Sequence, residues 1–144
     1  MVIGHWSLVT GNRSLHMDLK DLEVYRLAER LSDIIWNLVL GWDYFFKITV
    51  GKQMVEAADG IAANIGEGYG RYQYKENRNF CYYARGSLEE TKVWLRKSVR
   101  RGLLDLAEHP DLAEIIDILP KQLNAYIRSI GQQKPTDDKE TSDQ

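Results

Sequence analysis

The chain has 144 residues, a net charge of −2 and an apolar fraction of 44%, which suits one globular domain long enough to bury a core. Four tryptophans and eight tyrosines argue against a disordered chain. A single cysteine, Cys81, excludes an internal disulfide, and the longest apolar segment, 34–46, is broken by Asn37 and Asp43 and is too short to span a membrane, so the expected location is cytoplasmic.

Residues 1–16 carry neither a helical nor a strand period and include Gly4, Gly11 and Asn12. They read as a flexible leader without the basic start and apolar run of a signal peptide, and one compact unit is expected over 17–131. The first helix is predicted from Asp21 to Leu40. Leu27, Leu31, Ile34, Ile35 and Leu38 recur at three- and four-residue steps, with Asp18 or Asp21 as N-cap and Gly41 as the stop. A second helix follows from Ile48 or Lys52 to Tyr69, with the stripe Met54, Ala57, Ala58, Ile61, Ile65 and Tyr69. The turn is expected at 70–74.

The third and longest helix is predicted from Lys75 to Arg101, ended by Gly102, with Phe80, Ala84, Ser87, Leu88, Thr91, Leu95 and Val99 facing inward. The fourth runs from Asp111 to Ile130, with Leu112, Ile115, Ile116, Leu119, Leu123, Ile127 and Ile130 on its apolar face. Pro110 suits its first turn, and Pro120 is expected to kink or split it. The polar stretch 132–144 reads as a disordered tail. No strand alternation persists, so the fold expected is an all-α, antiparallel up-down four-helix bundle.

Two features stand out within this frame. Gly60, Gly66, Gly68 and Gly86 occupy helical positions, where each costs roughly 0.5 to 1 kcal/mol relative to alanine. They match no phosphate-binding loop, because there is no GxxxxGK[ST] and no preceding strand; close contact between helices is the expected reason. Charge is also uneven. Between Arg71 and Arg101 there are nine Lys/Arg against three Glu, which leaves the rest of the chain acidic.

Three segments carry a resemblance to a known family: DLEVYRLAERL near the start, IAANIGEGYGR over 61–71 and NFCYYARGSLEE over 79–90. Together they resemble the four-helix bundle proteins also called the 23S rRNA intervening-sequence protein family. The resemblance covers about 19–130, and its middle motifs fall on Asn64, Glu67, Gly68, Gly70, Arg71, Ala84, Arg85, Gly86 and Ser87. It implies a closed homo-oligomer, most often a pentameric ring, with no known enzymatic activity. Some members are encoded inside insertions in ribosomal RNA genes. Relatives that serve diversity-generating retroelements bind nucleic acid and a reverse transcriptase through basic surfaces; they are strongly basic, whereas this chain is mildly acidic.

The candidate nucleic-acid-binding residues are Arg78, Arg85, Lys92, Arg96, Lys97, Arg100 and Arg101 on the third helix. On a helical wheel Arg78, Arg85, Lys92, Arg96 and Arg100 fall together, opposite the inner face. They read either as contacts to RNA or DNA phosphates, with Tyr72, Tyr74 and Tyr82 stacking on bases, or as a solvated face. In the second case they are partly paired with Glu89 and with acidic residues of neighbouring subunits.

A structural polar and packing motif is expected from Asn64, Glu67, Gly68, Arg71, Arg85 and Gly86. In it Glu67 approaches Arg78 and lies one helical turn from Arg71, Gly60 lies opposite Arg85, and a buried or half-buried ion pair and amide fix the register; the other reading is a polar site inside the oligomer. The cluster Trp36, Trp42, Tyr44, Phe45 and Phe46 either caps one end of the bundle or remains exposed to a partner. No Glu-x-x-His pair suits a metal, His5, His16 and His109 are dispersed, and Ser87 has no adjacent base, so neither cofactor nor catalysis is expected. The function expected is a homo-oligomeric module offering the third-helix basic row to RNA, DNA or a reverse-transcriptase-type nucleoprotein. The competing expectation is a protein-interaction scaffold with no nucleic-acid contact.

Overall fold

The computed structural model describes residues 18–132. The expected leader and nearly all of the expected tail lie outside these residues. The described residues form four long helices and no strand: α1 (Glu23–Leu40), α2 (Lys52–Tyr69), α3 (Tyr74–Arg100) and α4 (Pro110–Ser129). A helical turn at Tyr44–Phe46 and a π-helical segment at Lys47–Gly51 lead into α2.

Around the bundle α1 packs on α2 and α4, and α3 packs on α2 and α4. Along the α2–α3 contact, Met54 lies beside Ser98, Gly60 beside Ser87 and Gly68 beside Asn77, so residue numbers run in opposite directions across the pair. Gly51 beside Val39 and Gly66 beside Tyr25 show the same order between α1 and α2.

The core is drawn from the four apolar stripes. Leu31 and Ile35 of α1, Met54, Ile61 and Ile65 of α2, Leu88 of α3 and Leu112, Leu119 and Leu123 of α4 are fully buried. Each such side chain contributes roughly 1.5 to 3 kcal/mol on burial. The predicted α2 stripe holds except at its end, where Tyr69 is half-buried. On α1 the buried line is Val24, Ala28, Leu31, Ser32, Ile35 and Val39, with Leu27, Ile34 and Leu38 on its flank.

Three local expectations are corrected. Neither Asp18 nor Asp21 caps α1 with its side chain. Instead a 3-10 turn at Leu19–Asp21 runs into Leu22, whose carbonyl accepts the Arg26 N–H at 3.0 Å. On α3, Val99 is 41% exposed while Ser98 is buried, because the Ser98 hydroxyl satisfies itself on the Trp94 carbonyl at 2.7 Å and lies against Met54 Sδ. Pro120 does not split α4, which runs unbroken through it. Buried Ile115, Leu119, Leu123 and Ile127 hold both halves against the core, enough to offset the roughly 3 kcal/mol that an interior proline costs. Gly102 ends α3 as expected, with φ of 76° and the Leu103 N–H reaching back to the Ser98 carbonyl at 2.9 Å.

Candidate functional site

The seven expected cations do not form one row facing solvent. α3 turns Arg78, Arg85, Lys92, Arg96 and Arg100 toward α4, and the first three are engaged within the chain. Arg78 Nη1 donates to the Ile130 carbonyl at 3.1 Å, tying the start of α3 to the end of α4. Arg85 Nη1 donates to Asn124 Oδ1 at 3.3 Å, and its guanidinium lies over the Tyr82 ring at 5.0 Å. Lys92 Nζ pairs with Glu89 at 3.1 Å, the i−3 pairing that leaves its side chain only 23% exposed.

Arg96, Lys97, Arg100 and Arg101 differ from these. They occupy the end of α3 and the residue after it, and among the described residues none has a carboxylate within 4 Å. Lys97 Nζ sits 4.8 Å from the Trp94 ring. The C-terminal end of a helix also favours such cations through its backbone dipole.

Between the second half of α3 and the first half of α4 the helices leave an open groove of about 610 Å³. Leu95, Val99, Ala113 and Ile116 give it an apolar floor, and Lys92, Arg96 and Arg100 line its α3 wall. Asp117 stands on the α4 side, 3.8 Å from Lys121. Lys97 and Arg101 do not line the groove.

The side of the bundle formed by α1 and α2 carries an apolar cavity of mixed charge with a group of carboxylates beside it. The cavity, of about 280 Å³, is lined by Trp36, Val39, Leu40 and Val55 together with Lys47, Lys52 and Glu56, the last two 4.0 Å apart. One turn away, Asp59 faces Asp33 and Glu29. Partial burial, then the charges of Asp33 and Glu29, push the Asp59 carboxyl above its usual range. Burial, with a hydrogen bond to Glu29 and its charge, pushes the Tyr25 phenol up to about 12.

Of the expected polar motif the Glu67–Arg71 pair is made, while the approaches of Glu67 to Arg78 and of Gly60 to Arg85 are not. Asn64 Nδ2 donates to the Gly60 carbonyl at 2.8 Å within its own helix. Glu67 pairs with Arg71 at 2.7 Å, with both side chains well exposed, and Arg85 points to Asn124. Helix direction explains the difference: the α2 stripe that faces α3 carries Gly60 and Gly68, while Glu67 lies on the outer side. Gly60 therefore meets Ser87, not Arg85.

The glycines divide. Gly68 is buried against Asn77 and Phe80, whereas a Cβ on Gly86 would meet nothing within 4 Å, so the expected close contact at Gly86 is not made within this chain. Gly86 lies on the exposed outer side of α3, with Tyr82, Tyr83 and Val93 also exposed there. Gly51 is a tight contact that the sequence reading missed. A Cβ there would stand 2.6 Å from Val39 Cγ1 and 3.1 Å from the Phe46 carbonyl; a glycine just before a helical stripe of small residues was the available signal. Asn77 and Asn124 were missed as well, because each is defined by a partner distant in sequence.

Of the aromatic cluster, Trp42 and Phe46 are partly buried, while Trp36, Tyr44 and Phe45 are exposed. Tyr72, Tyr74 and Tyr82 are also exposed, Tyr72 almost fully at 98%. Among the described residues no three His, Cys, Asp or Glu side chains gather as metal ligands, and no helix is long and apolar enough to cross a membrane.

Residues 20–125 match the model of the 23S rRNA-intervening sequence protein family. The chain belongs to this family. No curated protein matches the chain. The matched region takes in α1, α2, α3 and most of α4, including the groove and the cations at the end of α3. Of the glycines in the motifs that carry the resemblance, Gly68 falls on the α2–α3 contact, where it admits Asn77, while Gly66 faces Leu19 and Tyr25 and Gly86 is open.

Proposed function

We propose that the protein is a non-enzymatic module, an antiparallel up-down bundle that assembles with copies of itself and offers the cations at the end of α3 to RNA or to a nucleoprotein. The observation that carries the nucleic-acid reading is the cluster Arg96, Lys97, Arg100 and Arg101. These four lie within two helical turns and are free of internal ion pairs among the described residues. Phosphates approaching such a cluster release counterions, which gives sequence-independent binding that weakens steeply with salt. Self-assembly is supported by the apolar side chains left exposed on the outside of the bundle, Trp36, Leu40, Tyr83 and Val93 among them. A closed ring, with five copies favoured, follows from the family resemblance. One free thiol fits a reducing compartment, and the cytoplasm is the proposed location.

The test is a salt titration of binding to single- and double-stranded RNA and DNA, comparing the wild type with Lys97→Glu/Arg101→Glu. These two positions stand outside the groove, so the variant probes polyanion binding alone. The expected result is weaker binding and a log–log salt slope reduced by about 2. Absence of binding at low salt, or a variant indistinguishable from wild type, overturns the nucleic-acid reading and leaves a protein-interaction scaffold.

A further inference from the structure

The α3–α4 groove and the α1–α2 side match each other in three independent respects. They lie on opposite sides of the bundle, because α1 and α2 pack together on one side and α3 and α4 on the other. Each has an apolar centre open to solvent. Trp36 and Leu40 are each 52% exposed on one side, and Leu95, Val99 and Ile116 floor the groove on the other. Their charges are opposite. Asp33 and Asp59 have no cation within 4 Å among the described residues, while Arg96 and Arg100 have no carboxylate within the same distance.

The two sides also agree in height along the bundle. Gly51 marks the level of Val39, and Met54 the level of Ser98. Trp36, one turn below Val39, therefore stands level with Met54 and Ser98, between Arg96 and Arg100. Asp33 and Asp59 lie about one turn lower, nearer the level of Lys92.

We propose that the groove between α3 and α4 is the seat of the α1–α2 side of a second copy of this chain. Trp36 and Leu40 enter the apolar floor, and Asp33 and Asp59 meet Lys92, Arg96 and Arg100. The contact joins two different surfaces, so each copy keeps one donor side and one acceptor side, and repetition at constant height closes a ring when the rotation allows it. Charge removed from self-repulsion on one copy is neutralised by the next, which orients the approach and excludes the reversed pairing. The inference rests on the self-assembly proposed above and assigns its surfaces. In the assembled form Arg96 and Arg100 are taken by the neighbouring copy, and Lys97 and Arg101, which do not line the groove, are the cations left to a polyanion.

The full chain is tested by light scattering with circular dichroism as the check on folding. Arg96→Glu/Arg100→Glu and Asp33→Lys/Asp59→Lys are each expected to fall to monomer mass with the helical signal kept. The variant combining all four changes is expected to regain the wild-type mass. As a second measurement independent of those charges, separately purified Leu40→Cys and Val99→Cys chains are mixed under mild oxidation, and the expected product is the mixed disulfide dimer.

A folded Arg96→Glu/Arg100→Glu chain that keeps the wild-type mass overturns the proposal and leaves the groove to another occupant. So does a mixture that yields only like-with-like dimers or none. A wild type that is monomeric removes the self-assembly reading itself. A wild type that assembles but fails these tests removes only the assignment of surfaces.

Discussion

Gly68 on α2 lies so close to Asn77 on α3 that a Cβ at position 68 would stand 2.8 Å from the Asn77 side-chain oxygen and 2.9 Å from its backbone carbonyl. Backbone cannot yield as a flexible side chain can, and Phe80 Cβ blocks the remaining space at 2.9 Å. Gly68→Ala is therefore expected to destabilise the chain by about 1 to 3 kcal/mol, the range for overpacking a tight contact. Gly86→Ala, which meets nothing, should instead stabilise the isolated chain by about 0.5 to 1 kcal/mol through helix propensity. Urea unfolding of the two variants checks both signs; equal effects at the two positions would contradict the packing described.

The Glu67–Arg71 pair is short, at 2.7 Å, but both partners are well exposed. Exposed pairs at this spacing contribute about 0.3 to 0.5 kcal/mol, not the several kcal/mol that follow from stranding a buried charge. Glu67→Gln is expected to shift stability by no more than about 0.5 kcal/mol, with the shift vanishing at high salt. Denaturant midpoints at two salt concentrations measure it.

Cys81 is fully buried, and burial pushes its thiol up to about 11 from an ordinary value of 9.0. The thiolate is the reactive form, so labelling in the folded chain is limited twice, by access and by ionisation. At neutral pH a thiol reagent should label native protein at least about a hundredfold more slowly than urea-unfolded protein. Fast native labelling would show that the contact of Cys81 with the core is readily opened.

Asp59 gives a pH dependence whose sign can be worked out. Its carboxyl is raised in the folded chain, first by partial burial and then by Asp33 and Glu29, so folding favours the protonated form. The ionised form weakens the fold at neutral pH, and that penalty is lost as pH falls through the raised folded value toward the ordinary 3.8 and below. In dilute, dissociated protein Asp59→Asn should be more stable than wild type at pH 7, by about 0.5 kcal/mol or less given the exposure. The difference should disappear near pH ~3, below the ordinary aspartate value. Thermal unfolding at several pH values reads it.

The four helices were legible because each is written as a 3.6-residue apolar period closed by a turn residue. Ile61 and Ile65 face the core together, and Gly102 stops α3 where its left-handed backbone is needed. The same local signal placed all seven cations on one long helix and separated Gly60 and Gly68 from any phosphate loop.

Local pattern did not say which of those cations stay unengaged. Arg78 is held by the Ile130 carbonyl and Arg85 by Asn124, partners that only the arrival of α4 beside α3 supplies. The apolar period puts Val99 on the inner face, yet Ser98 is the buried residue, and its packing against Met54 decides this. Likewise Glu67 turned outward to Arg71 because Gly60 and Gly68 occupy the α2 line that faces α3.

By itself, then, the sequence determined the helices, their buried stripes and the uneven charge along the chain, since these depend on neighbours three and four residues away. Only the tertiary structure decided which arginines remain free, which glycine is a contact and which is open, and that an acidic apolar side stands at the height of a basic groove. Those properties depend on distances between residues far apart in the chain, and no periodicity encodes such distances.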